Sequence, residues 1–363
     1  MLLQDAELLR DETYQCLDDE GVPVDPAWES PLTGETVTEA YRRMLYARTA
    51  DLMAVSYQRQ GRMFTYPPNL GQEAAAVAAG MVIRKEDWLV PAFRELGTWL
   101  ARGVTMKEIF LFYRGNEDGS RFVNAPNTLP ITVPIASQLP HAVGLGFALN
   151  YREKKAAVFA FTGDGGTSEG DFHEALNFAA VWKVPVVFII QNNQFAISVP
   201  VRKQTASVNL AVKALAYGMK GCKADGNDFF AMHSALSAAR DYAIGGGGPV
   251  LIEAVTFRKG AHTTYDDPRL YRTKELEDFW EKKDPLARLA KYLVSKGLWN
   301  KKTEEALLKD YRQDIDRQFS EAESWGPYRL EDVFSHMYAD MPAELKTQKR
   351  DYEKFLAWKE SGL

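Results

Sequence analysis

Four segments of this chain, 88–93, 156–162, 185–190 and 250–257, are nearly continuous in apolar residues. A strand with one wet face alternates polar and apolar side chains. A strand without that alternation is covered on both faces, as in a parallel sheet with helices above and below. The segments between them, 138–151, 169–182 and 229–244, read as helices. This order predicts an α/β fold: a mostly parallel sheet with helices on both faces.

The flanks differ. Residues 1–34 are broken by Gly21, Pro23, Pro26, Pro31 and Gly34 and read as an extended arm. Thr36-Val-Thr-Glu39 has the form of a capping box, opening a helix through Gln60 with Tyr41, Met44, Leu45, Leu52 and Val55 at helical spacing. Gly245 to Gly248 read as a flexible turn. Beyond His262 the composition shifts to charged and aromatic residues, and 284–296 and 302–324 read as peripheral helices. With no internal repeat or low-complexity linker, residues 35–363 are expected to form one domain, with helical extensions from about residue 274.

Composition removes several function classes. Charged residues make up 26% of the 363 and the formal net charge is −5, without the basic excess of a nucleic-acid-binding surface. Lys346, Lys349 and Arg350 are flanked by Glu344, Asp351 and Glu353, as on a solvated helix face. The two cysteines, Cys16 and Cys222, lack metal-ligand spacing; neither a disulfide scaffold nor a zinc site is expected, and a reducing compartment fits. The opening MLLQDAELLRDE is acidic, unlike a signal peptide, and no apolar run approaches the ~20 residues of a membrane helix. The expectation is a soluble cytoplasmic protein with no nucleic-acid or membrane partner.

The chemistry is concentrated at two strand ends. Phe161-Thr-Gly-Asp-Gly-Gly-Thr-Ser-Glu-Gly170 follows one apolar strand, and Gln191-Asn-Asn-Gln-Phe195 follows the next. Glycines there let backbone approach a diphosphate, whose charge the next helix start favours. Asp164 can supply a carboxylate oxygen to Mg²⁺, Asn193 a side-chain oxygen and Phe195 its carbonyl, with diphosphate oxygens and water completing an octahedron. Gly-Asp-Gly is also a common turn and Asn-Asn a common cap, so only the pair, at successive strand ends, is specific. No Gly-x-x-x-x-Gly-Lys-Ser/Thr, and no Gly-x-Gly-x-x-Gly opening a first βαβ unit, offers another nucleotide site.

The pair resembles the diphosphate motif of thiamine diphosphate-dependent enzymes, which begins Gly-Asp-Gly and ends in paired asparagines. From about Thr36 onward the chain resembles the alpha subunits of heterotetrameric pyruvate or branched-chain 2-oxo acid dehydrogenases. The matching segments are Asn69-Leu-Gly-Gln-Glu-Ala74, Ala92-Phe-Arg-Glu95, Val133-Pro-Ile-Ala-Ser-Gln138, the Gly-Asp-Gly stretch and Phe257-Arg-Lys-Gly-Ala-His-Thr-Thr-Tyr-Asp-Asp267. Tyr271-Arg272 and Lys283-Asp-Pro-Leu286 follow in the order of that family.

The resemblance implies a thiamine diphosphate-binding fold, with Mg²⁺ and thiamine diphosphate as cofactors. Arg94 is then expected on the cofactor phosphates and Phe93 beside it, where the family often has tyrosine. Val133 and Ile135 should meet the aminopyrimidine, while Gly163, Asp164, Gly165, Gly166 and Gln191 line the diphosphate. Gln191 stands where some relatives have arginine or glutamate. His262 is the expected catalytic residue, facing the diphosphate and entry channel, with Arg258 and Tyr271 bracing its loop. Thr263 falls where animal relatives are phosphorylated. His141, His173, His233 and His336 are expected to be structural or exposed.

The implied reaction is oxidative decarboxylation of a 2-oxo acid, with acyl transfer to a lipoyl arm of an acyltransferase component. Pyruvate is favoured; branched-chain 2-oxo acids and acetoin are the alternatives. The glutamate that serves the pyrimidine belongs in this family to a separate beta subunit, in an assembly of two alpha and two beta chains, so Glu73 is expected to be structural or at an interface. Gly144 and Gly146 suit close subunit packing and an ordinary core helix equally. A non-enzymatic scaffold would be signalled by loss of Asp164, Asn193 or His262, and all three are present.

Overall fold

The computed structural model describes Leu3 and residues 8–326 and 328–362; residues 1, 2 and 4–7 of the expected arm lie outside the described residues. Among the described residues seven strands form: β1 Trp88–Val90, β2 Val158–Gly163, β3 Val186–Asn192, β4 Phe195–Ala196, β5 Val199–Pro200, β6 Lys220–Asp225 and β7 Val250–Val255. Five make one parallel sheet in the order β1-β2-β3-β7-β6. Strands β4 and β5 pair as a small antiparallel hairpin.

The helices are α1 Gly34–Arg59, α2 Glu73–Val82, α3 Leu96–Ala101, α4 Met106–Tyr113, α5 Gln138–Tyr151, α6 Gly170–Trp182, α7 Val201–Gln204, α8 Phe229–Tyr242, α9 Lys274–Glu281, α10 Pro285–Ser295, α11 Lys301–Glu323, α12 Leu330–Phe334 and α13 Ala343–Glu360. The four predicted strands and three predicted central helices all form, with ends moved by a few residues. Alternate residues of a strand point to opposite faces. Val158, Ala160, Val186, Phe188 and Ile190 face Leu139, Val143, Phe172 and Leu176 of α5 and α6 in one apolar cluster. Phe159, Phe161, Val187 and Ile189 point the other way and are equally buried, on the face that α8 covers. Burial on both faces is why these strands show no alternation.

Strand β6 escapes the apolar pattern because Lys220-Gly-Cys-Lys-Ala-Asp225 forms the end of the sheet. The arm covers that edge: Tyr14 N donates to the Lys223 carbonyl and Asp225 N to the Tyr14 carbonyl. Asp228 Oδ2 then accepts from Cys16 N and Leu17 N at 2.6 and 2.7 Å. An open strand edge is thereby closed within the chain.

Helix α1 starts earlier than its predicted cap: Thr33 is the N-cap and accepts from Thr36 N. Tyr41, Met44 and Leu45 are buried and Leu52 is exposed, because Asp51 turns inward instead. Its Oδ1 takes hydrogen bonds from Tyr66 Oη (2.8 Å) and Asn69 N (2.7 Å). On α5, Gly146 packs against Val184 and Val186 as in a core helix, while Gly144 faces open space. The glycine run at 245–248 turns the chain out of α8, with Gly246 and Gly248 at φ 86° and 92°.

The chain divides into two compact units, Met1–Phe319 and Ser320–Leu363, with the boundary inside α11. The second unit contains α12 and α13; α13 buries no residue, and Lys349 pairs there with Glu331. Among the described residues no helix is long and apolar enough to cross a membrane.

Candidate functional site

A cavity of about 630 Å³ opens at the carboxyl ends of β1, β2 and β3, where open parallel sheets place their ligands. All twelve residues singled out from sequence lie on its wall: Phe93, Arg94, Val133, Ile135, Gly163, Asp164, Gly165, Gly166, Gln191, Asn193, Phe195 and His262. Parallel register sets Gly163 beside Gln191, so two strand ends reach the cavity at one level. The loop from Asp164 needs its glycines. A Cβ on Gly165 would sit 2.8 Å from the Ala196 Cβ, and one on Gly166 would strike Thr162 Oγ1 and approach Ile135 Cγ1 to 3.1 Å.

Among the described wall residues, Asp164 Oδ2 and Asn193 Oδ1, with Glu95 Oε1, are buried without a hydrogen-bond partner. Burial pushes the Asp164 carboxyl up to about 6, although the backbone N–H of Asn193 and the charges of Arg258 and Arg94 oppose this. An orphaned carboxylate oxygen and an orphaned amide oxygen are the hard donors a small divalent cation takes. The third expected donor is already engaged: the Phe195 carbonyl accepts from Arg258 Nη1 at 3.0 Å, leaving one lone pair. The paired asparagines divide their work. Asn192 turns away from the cavity and donates to Glu253 Oε1 at 2.7 Å, and Glu253 Oε2 accepts from Leu210 N and Ala211 N.

Arg94 is buried, and burial followed by Arg258's charge lowers its guanidinium to about 10. It donates to the Pro68 carbonyl, and through Nη2 to the His262 carbonyl at 2.9 Å. His262 Nδ1 lies 3.3 Å from both Arg94 Nη2 and Arg258 Nη1. A guanidinium can only donate, so Nδ1 accepts and the ring proton sits on Nε2. Burial first, then the two arginines, lowers this imidazole to about 4 against the pull of Asp266. It is therefore a neutral donor until an anion offsets the two arginines.

Arg258 is nearly fully buried. It also binds the Ile197 carbonyl (2.5 Å) and Tyr271 Oη (3.0 Å), while Asp266 accepts from Tyr271 Oη and His262 N. Together these hold the histidine loop. Thr263 also lines the cavity. None of the other four histidines does; His141 bonds the Ser137 carbonyl and His173 bonds Tyr217 Oη. Glu73 is buried away from the cavity, in a two-point ion pair with Arg48 and accepting from Gly71 N.

Sequence reasoning passed over Glu95. It lines the cavity, is fully buried, accepts from Arg94 N at 3.0 Å through Oε2 and leaves Oε1 without a partner. Burial pushes its carboxyl up to about 8. A carboxylate next to an arginine reads as a surface pair, and only burial distinguishes it.

A parallel sheet with a glycine loop and an orphaned Asp–Asn oxygen pair at its strand ends defines an α/β protein with its site at those ends. The chain belongs to the dehydrogenase E1 component family, whose model matches residues 41–330. Membership implies use of thiamine diphosphate and a complex with a beta subunit and further components. It is similar to the alpha subunit of the pyruvate dehydrogenase E1 component of Acholeplasma laidlawii, 45% identical over 93% of this chain and 99% of that relative. The subunit of the same name from Staphylococcus aureus (strain Mu50 / ATCC 700699) is 41% identical over 94% of this chain and 93% of its own. For Bacillus subtilis (strain 168) the figures are 40%, 94% and 92%.

Proposed function

We propose that this chain is the alpha subunit of a pyruvate dehydrogenase E1 component, carrying out oxidative decarboxylation of pyruvate and passing the acetyl group to a lipoyl arm of the acyltransferase component. The observation that carries the reading is the orphaned pair Asp164 Oδ2 and Asn193 Oδ1 beside the glycine loop. With the Phe195 carbonyl they would hold Mg²⁺, and Arg94, Gln191 and the backbone of Gly163 to Gly166 would hold the diphosphate. The wall at Val133 and Ile135 would meet the aminopyrimidine. Bound thiamine diphosphate supplies the electron sink for loss of CO₂. His262 would present its Nε2–H to the diphosphate or to the transferring group, held in that tautomer by Arg94 and Arg258. Arg258 and Tyr271 fix the loop from which it acts. Glu73 is paired with Arg48 away from the cavity; the carboxylate that serves the pyrimidine ring would come from the beta subunit, in an assembly of two alpha and two beta chains. Two buried cysteines without a disulfide agree with a cytoplasmic location.

The test is co-expression with the beta subunit and measurement of CO₂ release from pyruvate and from 2-oxoisovalerate, with thiamine diphosphate and Mg²⁺. Faster turnover of pyruvate, abolished by Asp164→Ala, is expected. Preference for 2-oxoisovalerate would move the substrate to the branched-chain class. Bound cofactor with no turnover of either acid would bring acetoin forward.

A further inference from the structure

Gln204 lies outside every motif named above, yet its carboxamide is seated on the glycine loop. Gln204 Nε2 is 2.6 Å from the Asp164 carbonyl, 3.1 Å from the Gly165 carbonyl and 3.0 Å from Ser168 Oγ. Three oxygens around one nitrogen settle the orientation of the amide, because the reversed group would set an acceptor against two carbonyls. We infer that Gln204 is a positioning residue for the diphosphate, aiming the Gly165 and Gly166 N–H groups by holding the carbonyls of the same peptide units.

The reason is peptide geometry. Among the described residues no peptide bond is cis, and in a trans peptide the C=O and N–H point in opposite directions. Fixing the carbonyls of Asp164 and Gly165 toward Gln204 fixes the N–H of Gly165 and of Gly166 to the other side. Both glycines form cavity wall and have no side chain of their own to hold their peptide planes. The Asp164 carbonyl is further held by Thr167, through N (3.2 Å) and Oγ1 (2.9 Å).

The fold goes to some length to bring Gln204 there. The chain leaves β3, makes the β4–β5 hairpin and turns through α7, with Gln194 and Ile197 both in the left-handed region at φ 77° and 55°. That conformation is costly for a β-branched residue. The Ile197 carbonyl is tied by Arg258, the same side chain that contacts His262. The hairpin thus links the histidine loop to the glycine loop, and Gln204 is the point at which it meets the latter.

The inference rests on the thiamine diphosphate reading above. Its test uses the assembled enzyme with its beta subunit and follows equilibrium binding of thiamine diphosphate in the presence of Mg²⁺ by calorimetry. Gln204→Leu removes the side-chain donor from the Gly165 carbonyl and one of three donors from the Asp164 carbonyl, and is expected to raise the Kd about tenfold. The KM for the 2-oxo acid, and kcat at saturating cofactor, should stay within about twofold of wild type, because the groups touching substrate are intact. Gln204→Lys keeps a donor on a chain of similar reach and is expected to stay within about threefold of wild-type affinity. An unchanged Kd in Gln204→Leu overturns the inference, as do equal losses in both variants or a melting temperature of the cofactor-free enzyme that falls in step with affinity. Failure of the wild-type assembly to bind thiamine diphosphate would instead sink the cofactor reading, and this inference with it.

Discussion

Glu95 and His262 show how one cavity displaces two ordinary residues in ways set by burial and neighbours. The imidazole is held below its usual value by desolvation and two arginines, the carboxyl above its own by desolvation. For Glu95 the stability consequence has a definite sign. The unfolded chain releases this proton near the ordinary carboxylate value and the folded chain near 8. Between those values the folded state binds more protons, so its contribution to stability falls as pH rises. Glu95→Gln cannot ionise, and its urea midpoint relative to wild type should climb between pH 5 and pH 8.5, each tenfold difference in proton affinity being worth about 1.4 kcal/mol. A difference that is the same at both pH values would refute the buried-acid assignment. Asp164 belongs to this scale too: one orphaned oxygen, legible beforehand as a candidate ligand because the flanking glycines gave it a context. Glu95 had none, and its burial depends on Arg94 and the aromatic wall around it.

At the level of elements, the glycine loop and the strand that feeds it form the most tightly specified part of the site. Gly166→Ala would drive a methyl group against Thr162 and Ile135, and overpacking of that kind costs about 1–3 kcal/mol. Both the chemical-denaturation midpoint and the affinity for thiamine diphosphate are expected to fall; full affinity in this variant would mean that the loop relaxes freely. A second element contact is the buried pair between Arg240 of α8 and Asp87, just ahead of β1, at 2.7 and 3.0 Å. Asp87 also accepts from Ala157 N at the foot of β2 (2.8 Å). Arg240→Met would leave that carboxylate buried without its counter-charge and destabilise the chain by about 3 kcal/mol, read from urea unfolding. A loss below about 1 kcal/mol would place Asp87 among well-solvated carboxylates. The long helices were legible because their patterning is local. The exact caps were not: Thr33, not Thr36, caps α1, and which threonine caps is decided by where the preceding chain enters.

For the molecule as a whole, the site is built from one side only. Of the chain's own carboxylates, Asp164 has an orphaned oxygen, Glu95 is displaced by burial, Glu169 lines the cavity and is exposed, and Glu73 is paired with Arg48. Purified alone and given thiamine diphosphate, Mg²⁺ and pyruvate, the chain is therefore expected to release no CO₂, and titration with the beta subunit should restore turnover to saturation at equal amounts. Turnover by the isolated chain would show that a carboxylate of its own serves the pyrimidine ring. The arm, read as merely extended, is part of the main unit. It closes the β6 edge, and the ion pair of Arg288 with Asp19 fastens it to α10.

The sequence by itself determined the parallel sheet, its central helices and the loop at the end of β2, because apolar continuity and glycine spacing are properties of contiguous residues. It also marked twelve of the residues that line the cavity, through motifs each confined to one segment. Only the tertiary structure decided which groups meet. Arg94 and His262, 168 positions apart, share a hydrogen bond; Asn192 turns to Glu253 while Asn193 faces the cavity; Gln204 returns across a hairpin to hold the loop at Asp164. Those pairings come from chain segments brought together by packing, and no local pattern encodes the distance between them.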